Sequence, residues 1–369
     1  MSTDDSQPIV VILDTTETAK SFHLKGARFL LLGWYLVHMP NSKLIVSRMF
    51  VDETKNHFKK SYIKASDEFK KSVSNLNRAS GYQMVNLDDL LPVATACSTF
   101  GMAFDERLAD WKAIIVEYDQ IPTENLAARG LKGNKPFNGA EGKKGLRDAI
   151  IWESVLHAVK NDEANAKFLL VSQNKHDFCD PDGHDLQADL RQDLVDLGMP
   201  PEKVEVVQGL DKFRESFVAP IISEESDLKI SLQSGEYEHF SVSKLLTEVG
   251  TELYIQVCDA VDKLNWPPNT RVHNLDIDQS PKTVDYKSVL KVDDSIAVSL
   301  ELKFSGEISF EETFFDEKSE DWVEGGLLIQ DGIWTAIVEC VLKAPYFTLE
   351  EASVFGVAIE ASVKDDDDS

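Results

Sequence analysis

Cysteine is scarce in the sequence, and long apolar runs are absent. Only four cysteines occur in 369 residues, and no two of them form a CxxC pair. Neither a disulfide framework nor a cysteine zinc site is expected, and a reducing cytoplasm is the expected location. The longest apolar stretch, Phe29 to Met39, is shorter than the roughly 18 residues of a spanning helix. The acidic N-terminus argues against a secretory signal. No association with a membrane is expected.

Several motifs of common enzyme classes are also missing. No GxxxxGKS or GxxxxGKT pattern exists, which excludes a P-loop ATPase, and no GxGxxG follows a strand, which argues against a dinucleotide enzyme. The sequence contains no HxH or HExxH spacing, which would indicate a site for a softer metal ion. A phosphohydrolase or phosphotransferase that uses Asp14 is a further alternative, although the DxD pattern of an aspartyl nucleophile is absent.

Positive charge is in short supply and unevenly distributed. The chain has 38 Lys and Arg against 64 Asp and Glu, a net charge of −26. Residues 1–224 contain 27 of the basic and 33 of the acidic residues, whereas residues 225–369 contain 11 and 31. The acidic total argues against a general nucleic-acid coat. The nearly balanced first part has local basic clusters that can bind a phosphate backbone.

Residues 1–224 have the alternating pattern of an α/β domain. Short β-branched runs predict strands, and longer periodic segments predict helices. The predicted strands are 8–15, 43–47, 168–172 and 204–208, with 113–118 ambiguous between strand and helix. The predicted helices are 20–38, 49–78, 88–111, 147–160, 184–198 and 210–219. The glycine-rich segment 129–147 is predicted to be a loop. This order predicts a Rossmann-like parallel sheet flanked by helices.

The pattern changes at the charged segment SEESD near residue 224, which is the predicted domain boundary. One more helix is predicted over 242–265, and alternating strands follow from about 271. Residues 225–369 are therefore predicted to form an acidic α+β accessory domain with a mostly antiparallel sheet. Its segment 300–324 is dense in Asp and Glu, interleaved with aromatic residues.

Four acidic residues stand where the predicted sheet binds ligands. Asp14 closes the first strand, Asp177 follows the strand 168–172, Asp148 opens a helix, and Glu53 lies early in the long helix. In an open parallel sheet, ligands bind outside the carboxyl ends of the strands, so these side chains can share one crevice. Converging carboxylates repel one another unless a cation binds, and oxygen ligands suit Mg²⁺ or Mn²⁺. Asp52 is an alternative to Glu53.

Basic residues flank these acids. The segment 129–147 contains six Lys and Arg against one Glu and leads directly into Asp148. Lys55, Lys59, Lys60 and Lys64 follow Glu53 on the long helix. Cations around a carboxylate–metal centre suit a polyanion that is cut at a phosphate.

The order of these motifs resembles the PIN-domain nuclease family, in its larger variants with an extra C-terminal domain. The resemblance rests on the phrases KKGLRDAIIWE and VSQNKHDF and covers about residues 8–215. It implies a Rossmann-like fold that binds Mg²⁺ or Mn²⁺ and cuts single-stranded or structured RNA, such as tRNA. Two positions depart from the family pattern. Thr16 stands where the family often has Asn, and Asn174 stands where Asp is common. Because an amide is a weaker metal ligand than a carboxylate, Asn174 argues against a second metal site.

Carried over position by position, the family acids are Asp14, Glu53, Asp148 and Asp177, all expected to be catalytic. Asp14, Asp148 and Asp177 are the expected metal ligands, and Glu53 orients water or completes the metal's surroundings. Substrate phosphates are expected to contact the residues Lys144, Arg147, Lys175, Ser172 and Asn174.

The expected function is a metal-dependent endoribonuclease, with a role as a regulated toxin or defence effector. The acidic C-terminal domain can restrain it by covering the basic segment, or bind a regulatory protein or a second copy of the chain. The alternative is a catalytically silent PIN-like scaffold that binds RNA or protein, which Thr16 and Asn174 favour.

Overall fold

The computed structural model describes residues 7–19, 21–39, 41–80, 91–137, 145–183, 185–222, 226–234, 240–261, 270–278, 280–316, 321–343 and 348–361. The chain divides into two compact units, Met1–Pro220 and Ile221–Ser369. The predicted domain boundary between 224 and 225 lies outside the described residues and stays a prediction. In the described residues, no helix is both long and apolar enough to cross a membrane.

The first unit is built on a five-stranded parallel sheet with the order β3-β2-β1-β4-β5. Its strands, such as IVVIL and KFLLV, are apolar along almost their whole length because helices cover both faces of a parallel sheet. This confirms the predicted α/β fold and settles the ambiguous segment as a strand. The strands are β1 Ile9–Leu13, β2 Lys43–Ser47, β3 Ile114–Val116, β4 Lys167–Val171 and β5 Val204–Val207.

The strand order places a topological switch point between β1 and β4. From β1 the chain goes to β2 and β3 on one side and then crosses to β4 on the other. The loops after β1 and β4 therefore diverge and leave a crevice between them. One face of this central pair packs against an apolar core that includes Ile151, Trp152 and Val155.

The helices of the first unit follow the predicted order, with two corrections. The helix expected from residue 20 begins only at Ala27, after Gly26 with its φ of 94°. The loop expected over 129–147 is wrong at its start, because α4 continues to Lys132 and ends at Gly133, whose φ of 67° is left-handed. The helices are α1 Ala27–His38, α2 Arg48–Ser80, α3 Val93–Asp110, α4 Thr123–Lys132, α5 Leu146–Lys160, α6 Lys175–Phe178, α7 Ala188–Asp196 and α8 Gly209–Phe213.

The second unit has the predicted antiparallel sheet, and its described residues contain two helices where one was predicted. Strand β8 is central: β9 pairs along one edge, while β6 and β7 pair with successive parts of the other, and β10 pairs with β9. Helix α9 and strand β7 were not expected from the sequence. The elements are α9 Ser226–Ser234, α10 Val242–Val261, β6 Thr270–Ile277, β7 Thr283–Val292, β8 Ser295–Asp316, β9 Asp321–Lys343 and β10 Thr348–Ala361.

Alternation along the long strands creates the core of this unit. Leu300 and Leu302 on β8 and Val338 on β9 point to the same face, where they pack with Leu245 and Val249 of α10. Strand periodicity of two places every second residue on that face, which is the pattern that predicted these strands. Part of the acidic segment 300–324 lies outside the described residues.

Candidate functional site

Asp14 lies at the centre of the crevice between β1 and β4. It follows the last residue of β1, and its backbone N–H donates to the carbonyl of Val171 in β4 at 3.0 Å. The side chain is fully buried, and its carboxylate accepts hydrogen bonds from Thr15 N at 2.7 Å, Thr16 Oγ1 at 2.7 Å and Ser172 Oγ at 2.6 Å. Burial raises the pKa of Asp14, and these three bonds oppose that effect.

Glu53 reaches the same crevice from the second turn of α2. Its Oε2 accepts a 2.9 Å hydrogen bond from Thr15 Oγ1, whose oxygen lies 3.4 Å from Asp14 Oδ1. Its Oε1 forms an ion pair with Arg147 and lies 3.5 Å from His57 Nε2. Thr15 therefore connects two of the four acids. No feature of the sequence singled it out.

Its neighbour Asp52, the alternative to Glu53, points elsewhere. Asp52 is exposed and accepts a 3.0 Å hydrogen bond from the Tyr118 hydroxyl. Glu53 is buried, with 8% of its surface exposed. The structure therefore brings Glu53, and not Asp52, to the crevice.

Asp148 and Asp177 are joined by the amide of Asn174. The Asn174 Nδ2 donates to Asp148 Oδ1 at 3.2 Å and to Asp177 Oδ2 at 2.8 Å. The Asn174 backbone N–H donates to Ser172 Oγ at 2.9 Å, and that hydroxyl donates in turn to Asp14. A continuous chain of hydrogen bonds thus connects Asp14 with the other two carboxylates.

The electrostatics of Asp148 show that these acids face one another. Its pKa is raised to about 6, first by burial and then by repulsion from Asp14, Asp177 and Glu53. A nearby like charge disfavours the ionised form, so the carboxyl responds to all three other acids. The four predicted catalytic residues therefore surround one crevice.

Glu17 is a further carboxyl beside the crevice, buried and not among the predicted site residues. It is three residues after Asp14, and its Oε2 accepts a 3.0 Å hydrogen bond from Leu210 N at the start of α8. Burial, with a smaller contribution from the charge of Asp14, raises its pKa to about 7. Its proximity in sequence to Asp14 is the signal that could have identified it.

The basic residues of 129–147 do not form one uniform cluster. Arg129 was expected in a loop that binds phosphate, but it lies in α4 with 7% exposure and pairs with Glu153 at 3.3 Å and with Asp193. Its guanidinium is buried in ion pairs inside the domain, so the prediction that Arg129 binds phosphate from a loop is wrong. Its Nη1 also donates to the carbonyl of Lys135 at 2.5 Å.

Lys135 is a further basic residue at the crevice, and it was not among the predicted site residues. Its Nζ donates to the carbonyl of His176 at 2.8 Å and lies 3.5 Å from Asp177 Oδ1. Arg129 binds the main-chain carbonyl of Lys135, so it connects the interior of the domain with the backbone of this residue.

The remaining predicted substrate-binding residues differ in accessibility. Arg147 is exposed over 63% of its side chain and remains beside Glu53, and Lys175 is exposed at the start of α6. Ser172 is 1% exposed and engaged with Asp14, and Asn174 is engaged with two carboxylates. Lys144 lies outside the described residues.

The donor chemistry of this site fits a hard divalent cation. Asp14, Asp148 and Asp177 offer carboxylate oxygens, which Mg²⁺ and Mn²⁺ prefer, and their mutual repulsion is the condition that a cation relieves. Across the described ranges, no three His, Cys, Asp or Glu side chains are already spaced to hold one ion.

Comparison with known proteins agrees with this geometry. A family model described as a PIN domain matches residues 11–178, a segment that runs from β1 to α6 and contains all four acids. The first unit of the chain therefore contains a PIN domain, and PIN domains are generally nucleases. No curated protein and no solved structure gives a match. The C-terminal unit lies outside the matched segment, consistent with a larger variant of the family.

Proposed function

We propose that this protein is a metal-dependent endoribonuclease that hydrolyses RNA phosphodiester bonds. The observation that carries the proposal is the convergence of Asp14, Glu53, Asp148 and Asp177 on the switch-point crevice. Four carboxylates in one place are costly without a cation, and the exposed cations Arg147 and Lys175 beside them suit an anionic substrate.

Asp14, Asp148 and Asp177 are the residues that would hold Mg²⁺ or Mn²⁺. When bound, such an ion supplies Lewis-acid chemistry at a phosphoryl oxygen and makes water nucleophilic at neutral pH. Ser172 orients Asp14, and Asn174 holds Asp148 and Asp177 in place. Ser172 and Asn174 are therefore proposed as positioning residues, in addition to the predicted contact with substrate.

Four further residues complete the proposed active site. Glu53 is held by Thr15 and Arg147 and faces the same crevice, where it orients water. Arg147 and Lys175, together with Lys144, neutralise charge on the phosphate as it accumulates in the transition state.

The C-terminal unit is proposed to regulate the nuclease, which suits a toxin or defence effector in the cytoplasm. The support is the charge distribution: 11 Lys and Arg against 31 Asp and Glu in residues 225–369. An acidic surface repels RNA and can compete with it for the basic residues, and a regulatory protein or a second copy of the chain would relieve the restraint.

One observation favours a second candidate, a catalytically silent scaffold that binds RNA or protein. Within the described residues, no three potential ligands are already spaced for one metal ion, and Asn174 occupies a position where an acid would strengthen metal binding. In that case Asn174 would substitute for the cation by hydrogen bonding to the carboxylates.

The deciding experiment is cleavage of total tRNA, rRNA and a single-stranded oligomer with Mn²⁺, with Mg²⁺ or with EDTA. The wild type and Asp148→Asn are compared, each as the full chain and as residues 1–224. Metal-dependent cleavage that Asp148→Asn abolishes is the expected result, with a more active fragment if the acidic unit restrains the enzyme. RNA binding without cleavage by either length of chain would support the scaffold instead.

A further inference from the structure

Helix α2 presents a row of basic side chains that starts at the proposed active site. At 100° per residue, positions 4, 7, 11, 18 and 25 after Glu53 all lie within about 40° of its direction on the helix. These five positions are basic, and we refer to them as the basic stripe: His57, Lys60, Lys64, Lys71 and Arg78.

Part of the opposite side of α2 is used for packing, and the stripe itself is accessible. Phe58 stacks on Phe100 of α3 with ring centroids 4.0 Å apart. The Tyr62 hydroxyl donates to the carbonyl of Leu91 at 2.6 Å, and Val73 is buried. On the stripe, the four Lys and Arg residues are exposed, and Lys64 has 78% of its side chain accessible.

The helix is basic in a chain that is strongly acidic. Residues 48–80 contain eight Lys and Arg against four Asp and Glu, whereas the whole chain has a net charge of −26. Two acids lie on or beside the stripe. Asp67 is also within about 40° of the Glu53 direction and lies 3.8 Å from Lys70, and Glu68 lies 3.9 Å from Lys64. Such exposed pairs are worth little, so the lysines remain available to a polyanion.

The composition of the stripe distinguishes a duplex from a single strand. Proteins that bind single strands use aromatic side chains to stack on the bases. None of the five stripe residues is Phe, Tyr or Trp. Phe58 stacks on α3, Tyr62 donates to Leu91 just before α3, and the exposed Phe69 points about 160° away from the stripe. Charged residues without stacking partners suit recognition of a duplex through its backbone.

We propose that the basic stripe of α2 is a phosphate-binding track for a double-helical arm of the RNA substrate. The proposal rests on the nuclease function proposed above and specifies its substrate: a structured RNA whose stem extends away from the cleavage point. From Glu53 to Arg78 the helix rises about 38 Å, at ~1.5 Å per residue. An A-form RNA helix rises less per base pair than the ~3.4 Å of B-form DNA, so this length matches a stem of roughly eleven to fourteen base pairs.

The sequence of α2 offers a matched control for this proposal. Lys59 and Lys70 are each one residue before a stripe lysine, are also exposed, and point about 100° away from the stripe. The double variant Lys60→Glu/Lys71→Glu therefore has the same change in charge, on the same helix, as Lys59→Glu/Lys70→Glu. Circular dichroism checks that both variants keep the helical content of the wild type.

Two RNAs are compared: a hairpin with a stem of about twelve base pairs next to the cleavage point, and a single-stranded oligomer of about six nucleotides. Binding is measured by fluorescence anisotropy on full chains that also contain Asp148→Asn, and cleavage is measured without that substitution. The stripe variant should bind the hairpin about 10- to 100-fold more weakly than the wild type. The slope of log K against log salt concentration should become less negative by about two. Cleavage of the oligomer should stay within about twofold of wild type.

Three results would overturn the track. The first is an equal loss in the control variant, which would indicate a general field effect, and the second is unchanged hairpin binding by the stripe variant. The third is an equal loss of activity on the oligomer. The wild type could also cleave neither RNA and still bind the hairpin more tightly than the stripe variant does. That result would contradict the proposed nuclease function and support the phosphate-binding track.

Discussion

The hydroxyl of Ser172, directly after β4, donates a 2.6 Å hydrogen bond to the buried carboxylate of Asp14, directly after β1. It is one of three donors to a side chain with no exposed surface. The interaction joins the two strands that border the crevice. It also keeps a carboxylate in an environment where burial favours its neutral form.

The first prediction concerns this bond. Ser172→Ala should lower the free energy of unfolding at pH 7 by about 1–3 kcal/mol, because a buried acceptor loses a donor. Urea denaturation with EDTA present measures the change. Ser154→Ala is the matched control, because Ser154 is equally buried but donates only to the neutral carbonyl of Ile150. A loss as large in Ser154→Ala would contradict a special role for the charge.

The second prediction concerns the amide that joins Asp148 and Asp177. Asn174→Asp replaces a donor by a third carboxylate, so it should destabilise the metal-free protein and strengthen Mn²⁺ binding by about tenfold or more. Isothermal titration and melting curves with and without Mn²⁺ measure both effects. Asn174→Ala serves as the control, since it removes the amide without adding a charge. Equal Mn²⁺ affinity in the two variants would argue against ligation near this position.

The positions of Asp14 and Asp177 were predictable because they depend on a simple rule. Apolar runs predict buried parallel strands, and the carboxyl ends of such strands lie along one edge of the sheet. Thr15 was not predictable, because its role depends on the distance between the end of β1 and the second turn of α2. That distance is set by packing between elements, which residue patterns alone do not determine.

The error at Arg129 has a different origin. The glycine content of 129–147 indicated a loop, but Gly130 is inside α4, where an added Cβ would stand 3.5 Å from the Phe137 ring. That distance is an ordinary contact, so this glycine lies inside the helix without being required there by packing or by a turn. Gly133, with its positive φ, is the residue that ends the helix. Sequence alone does not separate these two positions of glycine.

The third prediction follows from the raised pKa of Asp148. Its carboxyl has a pKa of about 6 in the folded protein against the ordinary 3.8, so folding takes up a proton between these values. The contribution of Asp148 to stability therefore becomes more unfavourable as the pH rises from about 4 to about 6. Above that range, Asp148→Asn should stabilise the metal-free protein by about 1–2 kcal/mol, allowing for the partial exposure of the group.

Guanidinium denaturation in EDTA at pH 4, 5.5 and 7.5 tests this pH dependence. The gain from Asp148→Asn should be absent at pH 4, intermediate at pH 5.5 and complete at pH 7.5. Asp119→Asn is the control, because Asp119 is exposed and should change stability by less than about 0.5 kcal/mol at each pH. A gain of the same size at pH 4 would show that repulsion between the carboxylates is not its cause.

The last prediction concerns the buried ion pairs of Arg129. Arg129→Met leaves Glu153 and Asp193 without their cation and should cost about 3–5 kcal/mol of unfolding free energy. The double variant Arg129→Met/Glu153→Met should recover part of this loss, because it also removes one of the stranded charges. Lys55→Met is the control: Lys55 pairs with Asp105 at 2.7 Å near the surface, so its loss should cost less than about 1 kcal/mol. Similar losses for Arg129→Met and Lys55→Met would mean that burial adds nothing to the pair.

Arg129 also binds the carbonyl of Lys135, a residue at the crevice. Arg129→Met should therefore weaken RNA cleavage more than its loss of stability explains, when cleavage is measured well below the melting temperature of the variant.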